Sequence, residues 1–535
     1  MKKLLIYFGL VFFVILSGCT KNFNSINTDP TQASAANFNP NLLLPTAELG
    51  YINAIQGYNG AILFQSMWTQ TFASAAYPSY YSNGDKYVAS SNILTYDASI
   101  WNTAYGAASD AFEIQNLTKG NAAYTNLSSI ALIVQLLNLE LVTDVYGDCP
   151  YTQALQAKTS GVVLPVYDAQ QSIYTSMLSR LDSVIGTLNP SNPIPTNDII
   201  YSGNIAQWQK FGYSLMLRMA MRLTKVDPAT AQTYAVKAAA GGTFASVADN
   251  AYITFDHADG YSNANSSALQ VPEDYNEVKW GQLLINYLQT NNDPRLPVIA
   301  EVPQPGLANA ANESLAGDPT PANQVGMPNG YDQNGGATDI STSPGYPGSS
   351  GTGNDLNPTG KYSRPTSAVY LALNTPGFIL TYPETELLLA EAAVNGWSVG
   401  STASVHYANA VAGALLTYGT FNGTTPISPA TATAYAAANP LDVSSTTNSL
   451  QQINTQFWVT TGTLFNFIEC WTNWRRSGYP VLTPVNYTGN FTNGTIPRRE
   501  IYPTSELSTN GKNYKAAVAN LTGGDQWTSR VWWDK

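Results

Sequence analysis

His257 and His406 are the whole imidazole complement of the 535 residues. Zinc sites and Ser-His or Cys-His nucleophile systems, which lean on histidine, therefore have little to draw on. Cys19, Cys149 and Cys470 fall in no metal-ligand spacing. Cys149 and Cys470 read as two buried thiols, although an oxidising compartment would also allow a bridge between them. Paired carboxylates are the remaining route to acid–base chemistry. Glu384 and Glu391 sit seven residues apart in Tyr382-Pro383-Glu384-Thr385-Glu386-Leu387-Leu388-Leu389-Ala390-Glu391. Two helical turns separate them by about 10.5 Å along the axis, outside the spacing of a retaining glycosidase pair. At a helix start flanked by Leu and Ala they read instead as partners of the helix dipole or of an arginine. Arg475-Arg476 and Arg498-Arg499 lie among Trp471, Trp474, Tyr479 and Pro480, the setting of internal ion-pair partners. Arg475 or Arg476 is expected to pair with Glu384, Glu386 or Glu391. Gly360-Lys361 is no phosphate loop, because Asp355 and Tyr362 stand where that motif needs Gly and Ser or Thr. The residues point to binding rather than catalysis, with no cofactor and no metal.

What they would bind follows from composition. Charged residues are 11% of the chain and aromatics another 11%, with 33 Tyr and 11 Trp; charge is usually about a quarter. Asn, Thr, Ser, Gln and Gly must carry solubility. A neutral surface set with Tyr and Trp suits a neutral, hydroxyl-rich ligand, although for any single ring core packing is the commoner fate. The net charge of −11 and the lack of a basic patch exclude nucleic acid as a partner. Flat rings match the C–H faces of pyranoses, while Asn, Gln and Asp take hydroxyls. Such rings must be exposed yet fixed, which favours loops braced by a rigid scaffold. Two stretches qualify. Trp68–Tyr96 holds Tyr77, Tyr80 and Tyr81 beside Asn83 and Asp85, in a Gly-, Pro- and Ser-containing run read as loop. The long insertion holds Tyr261, Tyr275, Trp280 and Tyr331. The candidate ligand residues are Tyr77, Tyr80, Tyr81, Asn83 and Tyr331, of which two or three are expected to touch ligand.

The elements that must position them are helices. Ser99–Leu117, a run capped by Ser128-Ser129, Asp168–Leu188, Ile205–Thr224 and Pro228–Ala240 carry helical apolar spacing. Short turns between them predict antiparallel hairpins. In the second, Ile130, Ile133, Val134, Leu137 and Leu141 form one stripe, and Leu132, Leu136 and Leu139 occupy other faces, so it is buried nearly all round. Gln135, Asn138 and Glu140 make it a poor membrane span. Helices are expected again near Trp280–Thr290, Thr381–Asn395, Ser404–Thr417, Ser449–Trp458 and Thr463–Trp474. The fold class is mainly α, with a helical scaffold over about 40–240 and 376–475 and loop-rich regions over about 241–375 and 476–535. Ahead of it, Lys2-Lys3, the apolar run Leu4–Leu16 and Leu16-Ser17-Gly18-Cys19 read as a secretory signal over 1–18. Its ending looks like a lipoprotein box, with lipid on Cys19 and a polar leash over 19–39.

Several stretches together resemble the SusD/RagB nutrient-binding outer-membrane lipoproteins, in the branch called SusD-like group two. They are Cys19-Thr20-Lys21-Asn22-Phe23, Asn27-Thr28-Asp29-Pro30, Thr143-Asp144-Val145-Tyr146-Gly147-Asp148-Cys149-Pro150-Tyr151 and Asn292-Asp293-Pro294-Arg295-Leu296. Tyr382–Ala392, Trp474-Arg475-Arg476-Ser477-Gly478-Tyr479-Pro480, Ile496-Pro497-Arg498-Arg499-Glu500 and Val531-Trp532-Trp533-Asp534-Lys535 complete the set. The resemblance implies a single domain over 40–535 with tetratricopeptide-like helix pairs and a loop-built ligand site. It also implies an oligosaccharide or peptide ligand, and a SusC-like TonB-dependent β-barrel transporter as partner. Lipid anchoring in the outer membrane, facing the cell surface, is the implied location. Relatives exported to the surface often carry acidic residues after the lipid cysteine, whereas Lys21-Asn22 stands here. A surface glycoside hydrolase lipoprotein is the alternative reading.

Overall fold

The computed structural model describes residues 38–58, 60–76, 80–89, 91–303, 317–422 and 426–535, with the side chains of 91–95 and 97 outside the description. Cys19 and Tyr77 lie outside the described residues. The chain separates into units 1–40 and 41–535, and the second carries everything below.

Its frame is a series of helices packed on their sequence neighbours. α1 (Leu44–Ile55) is followed by α2 (Tyr80–Lys86), α3 (Ser91–Thr118), α4 (Thr125–Tyr146), α5 (Gln170–Ile185), α6 (Ile205–Arg222) and α7 (Pro228–Gly241). α8 (Gln282–Thr290) lies in the long insertion. α9 (Tyr382–Val394), α10 (Ala403–Thr417), α11 (Pro429–Ala438), α12 (Thr446–Thr463), α13 (Phe467–Ser477), α14 (Thr504–Thr509) and α15 (Gly511–Ala519) complete it. The pairs α3–α4, α6–α7, α9–α10 and α12–α13 pack as hairpins, and α1 lies on α3. Starts are set by side-chain caps that accept first-turn amide protons: Asn204 for α6, Asp227 for α7, Thr381 for α9 and Ser445 for α12. α4 is the one described helix long and apolar enough to span a membrane, yet 89% of that window is buried within the protein. Its polar groups are met internally: Gln135 accepts from Gln115 at 3.0 Å, and Glu140 pairs with Arg218.

Among the described residues, four two-stranded antiparallel ribbons stitch loops to this frame. β1 (Phe72–Ala73) pairs with β5 (Lys279–Trp280), joining the segment after α1 to the insertion. β2 (Cys149–Pro150) meets β3 (Tyr167–Asp168), β4 (Ala251–Ile253) meets β8 (Gly377–Leu380), and β6 (Ala300–Glu301) meets β7 (Arg364–Pro365). Cys149 and Cys470 are both free and buried.

Three stretches depart from the sequence reading. The run taken as loop before Tyr96 contains α2 and the start of α3. Burial overrides composition there, because Lys86 donates to Ser74 O at 2.9 Å and Ser82 Oγ at 2.8 Å. Gly84 lets this helix lie against the chain: a Cβ at that position would stand 1.8 Å from Leu63 O. α11 was not anticipated, although Ser428 caps it and Pro429 opens it. The tail beyond 476 holds α14 and α15 among its turns.

The interior is ionic as well as apolar. Arg222 reaches Asp144 at 3.2 Å and Glu469 at 2.5 Å. Arg498 meets Asp534, with Nε 2.7 Å from Oδ2, and Arg499 meets Asp525 Oδ1 at 2.5 Å. Arg476 forks onto Glu391, with Nη2 2.6 Å from Oε2.

Candidate functional site

α8 begins at a junction of backbone bonds. Gln282 N donates to Met327 O at 2.8 Å and Met327 N donates to Trp280 O at 2.9 Å. The loop that follows Met327 is thereby held beside the first turn of α8. Its next residues are fixed from α2. Asp85, fully buried, accepts from Gly330 N at 2.7 Å and Asn329 Nδ2 at 2.5 Å, and Asn329 Nδ2 also reaches Phe72 O at 2.9 Å. Burial pushes the Asp85 carboxyl up and the Lys86 ammonium down, each against its attraction for the other at 3.7 Å. Gly330 sits at φ +87°, and a Cβ there would lie 2.9 Å from Val485 Cγ1. The left-handed turn and the close approach both require glycine.

Beyond Tyr331, Asp332 closes the loop by accepting from Thr338 Oγ1 at 3.0 Å, Asn334 N at 3.0 Å and Tyr487 Oη at 2.5 Å. Tyr487 belongs to the segment after α13, and Lys86 lies 5.6 Å from its ring centroid. Gln70 donates to Thr483 O in the same segment. Residues 70–74 and 80–86, the start of α8 with 327–338, and 483–487 are thus bound into one loop cluster by polar side chains.

They enclose a cleft of about 500 Å³, within the ordinary range for ligand sites. α8 supplies Gln282, Leu283 and Asn286; the 328–338 loop supplies Asn329, Tyr331 and Thr338; the 481–486 segment supplies Val481, Thr483, Val485 and Asn486. Among the described residues lining it there is no Asp, Glu, Lys, Arg or His. A larger hollow of about 720 Å³ near the C-terminal residues has Asp148, Arg530, Asp534 and Lys535 in its walls, a charged setting that suits a neutral ligand less well.

The candidate ligand residues separate on this frame. Tyr331, half-buried, lines the cleft. Tyr80 is 39% exposed and meets Tyr96 edge-on at 5.9 Å. Asn83 is half-buried on α2 and lies outside the cleft lining. Tyr81 is fully buried in the main core, so its ring is packing and offers no face to a ligand. Of the other rings in the insertion, Tyr275 and Trp280 are core and Tyr261 is 56% exposed. Sequence reading missed the α8 face and the 481–486 segment. An exposed Gln-Leu-x-x-Asn at a helix start carries no aromatic signal. Phe491, 52% exposed, lies outside the cleft lining; its N donates to Tyr87 O at 2.7 Å, and its ring meets Trp527 edge-on at 5.5 Å.

Glu384 and Glu391 are spent elsewhere. Glu384 lies 3.8 Å from Arg218 in the core and Glu391 pairs with Arg476. His406 is buried, 2.9 Å from Glu386.

Helix pairs carrying a loop-built cleft define a scaffolded binding protein. The chain belongs to the SusD-like family: residues 32–503 match the model described as "Starch-binding associating with outer membrane". A solved chitin-binding protein is similar at 29% identity, covering 93% of this chain and 100% of its own, with a TM-score of 0.77. A SusD-like protein from the Bacteroidetes matches at 25% identity over 93% and 100%, with a TM-score of 0.78. A SusD-like protein from Bacteroides thetaiotaomicron shares the fold at 23% identity over 93% and 99%, with a TM-score of 0.72. No curated protein sequence matches.

Proposed function

We propose that this protein is a lipid-anchored capture protein of the outer membrane that binds a neutral oligosaccharide in the cleft beside Tyr331. It hands the glycan to a SusC-like TonB-dependent transporter. The observation that carries the ligand reading is a cleft of about 500 Å³ walled by carboxamides, hydroxyls, one tyrosine and apolar groups without a charge. Carboxamides donate and accept, matching sugar hydroxyls in either sense, and a ring braced by a rigid loop can stack on a pyranose face. The family description and the chitin-binding relative support a glycan. Capture is favoured over hydrolysis because no carboxylate lines the cleft among the described residues, and glycosidases need two. Lipid on Cys19 would hold the protein at the membrane, with the binding unit facing outward. The test is calorimetric titration of the mature protein with a panel of neutral oligosaccharides and peptides. Glycan binding without turnover is expected. Binding of peptides alone, or steady glycan cleavage, would overturn the reading.

A further inference from the structure

The segment 161–166 reads Gly-Val-Val-Leu-Pro-Val, an apolar run on the outside of the fold. Val163 is 72% exposed, Leu164 57% and Val166 40%. The run is held there from α14 and α15. Asn513 Nδ2 donates to Leu164 O and Pro165 O at 3.1 Å, Asn510 Nδ2 donates to Pro165 O at 2.8 Å, and Tyr167 Oη donates to Glu506 Oε2 at 2.6 Å. Leu507, next to Glu506, adds a fourth open apolar side chain at 54%. Backbone carbonyls tied down while apolar side chains stay open mark a contact surface.

Charge says what it meets. Across 157–166 and 504–519 the charged residues are Lys158, Glu506, Lys512 and Lys515, three cations and one acid in a chain of net charge −11. Glu506 takes the Tyr167 hydroxyl, and Lys158 holds Glu113 of α3 at 2.5 Å. Lys512 and Lys515 are exposed on α15, Lys512 directly before the Asn513 that holds the apolar run. Open Val and Leu beside lysines match a surface that is apolar within and anionic at its edge. A protein partner fits less well. Val and Leu seldom anchor protein interfaces, and four such side chains fall short of the roughly 800 Å² that each partner of a stable complex buries. We infer that this patch rests on an anionic lipid surface. Val163, Leu164, Val166 and Leu507 enter the headgroup boundary, and Lys512 and Lys515 meet the phosphates. The contact goes beyond the anchor proposed above and does not need it: lipid on Cys19 would hold the chain near the membrane, whereas the patch fixes which face turns to it. Tethering raises the local concentration of the patch, so a contact that is weak alone suffices.

Vesicle sedimentation decides this. The chain from Thr20, made without lipid and containing every described residue, should sediment with vesicles of mixed phosphatidylcholine and phosphatidylglycerol, and far less with phosphatidylcholine alone. Lys512→Glu combined with Lys515→Glu should remove that difference, since each lysine near an anionic surface contributes about fivefold in affinity. Leu164→Asp should weaken binding to the mixed vesicles about tenfold, the worth of one buried leucine side chain. Both variants should melt with the wild type, because all three positions are exposed. Equal recovery with the two kinds of vesicle, or Leu164→Asp binding like the wild type, overturns the lipid assignment. So does a dimer of the free protein that Leu164→Asp dissociates, which would give the patch to a second copy of the chain. Each of these outcomes leaves the Cys19 anchor and the glycan reading standing.

Discussion

Arg476 and Glu391, eighty-five positions apart, meet as a two-pronged buried ion pair whose remaining hydrogen bonds are also met. Asn473 and Asn454 accept from the guanidinium, and Asn454 Nδ2 donates to Glu391 Oε2 at 3.2 Å. Among the described residues its neighbour Arg475 takes no carboxylate. It lies 3.5 Å from the Trp471 ring centroid and 4.7 Å from that of Trp533, and donates to Asp144 O at 2.7 Å. Removing one member of a buried pair leaves the other charged and alone, which costs about 3–5 kcal/mol. Arg476→Ala should lose that much in urea unfolding. Arg476→Met with Glu391→Met should recover most of it; a double variant as unstable as the single would show that the asparagines, not the charge, hold this site.

This pairing was legible in the sequence because few charges are available and the arginines sit among tryptophans. The helix pairs were legible for a similar reason: apolar spacing and caps are local. Tyr81 and the cleft were not. Whether Tyr81 faces water depends on α2 closing against the chain at Gly84, a contact between distant segments. The cleft is made by Asp85 reaching Asn329 and Gly330, Asp332 reaching Tyr487, and Gln70 reaching Thr483. No local pattern records those reaches.

Glu384 gives the fold a pH dependence. Burial raises its carboxyl to about 8, with Glu469 adding to the rise and Arg218 and Arg222 opposing it. Neither carboxyl oxygen has a hydrogen-bond partner among the described residues. A carboxyl whose folded pKa lies above its unfolded value contributes its full stability below the unfolded value, near 4.5, and loses it as pH rises through about 8. Glu384→Gln should therefore match the wild type near pH 4 and exceed it by about 1–3 kcal/mol near pH 8.5, the cost of an unmatched buried polar group. Parallel stability–pH curves for the two proteins would refute this.

Two tyrosines of the candidate set should behave oppositely. Tyr81→Ala removes a fully buried ring and should cost about 3–5 kcal/mol. Tyr81→Phe should be neutral or stabilising, because the Tyr81 hydroxyl is buried without a partner among the described residues. Tyr331→Ala should leave stability within about 1 kcal/mol while cutting glycan affinity about tenfold. Thermal melts and titrations of the same preparations separate the two roles.

The proposed lipid anchor places the tether on Cys19. Cys19→Ala should leave the protein soluble or poorly processed, because stable anchoring takes acyl chains contributing about 0.8 kcal/mol per buried CH₂. Recovery of the variant in the outer-membrane fraction at wild-type levels would place the membrane hold elsewhere in the chain.

Asp85 tests whether the cleft is built from behind. It does not line the cleft, yet it accepts from Gly330 N and Asn329 Nδ2, in the two residues that lead into Tyr331. Asp85→Asn keeps the shape but turns a donor toward donors and removes the charge beside Lys86. Leaving buried groups mismatched costs about 1–3 kcal/mol, and the loss should fall on the 328–332 loop rather than on the helix pairs. Amide exchange at Gly330 should accelerate while that of α9 and α12 stays slow. Glycan affinity should drop several-fold, with Tyr331 itself intact. Were affinity to hold while Gly330 exchanges freely, Tyr331 would not need its brace, and the cleft would close around its ligand instead of awaiting it.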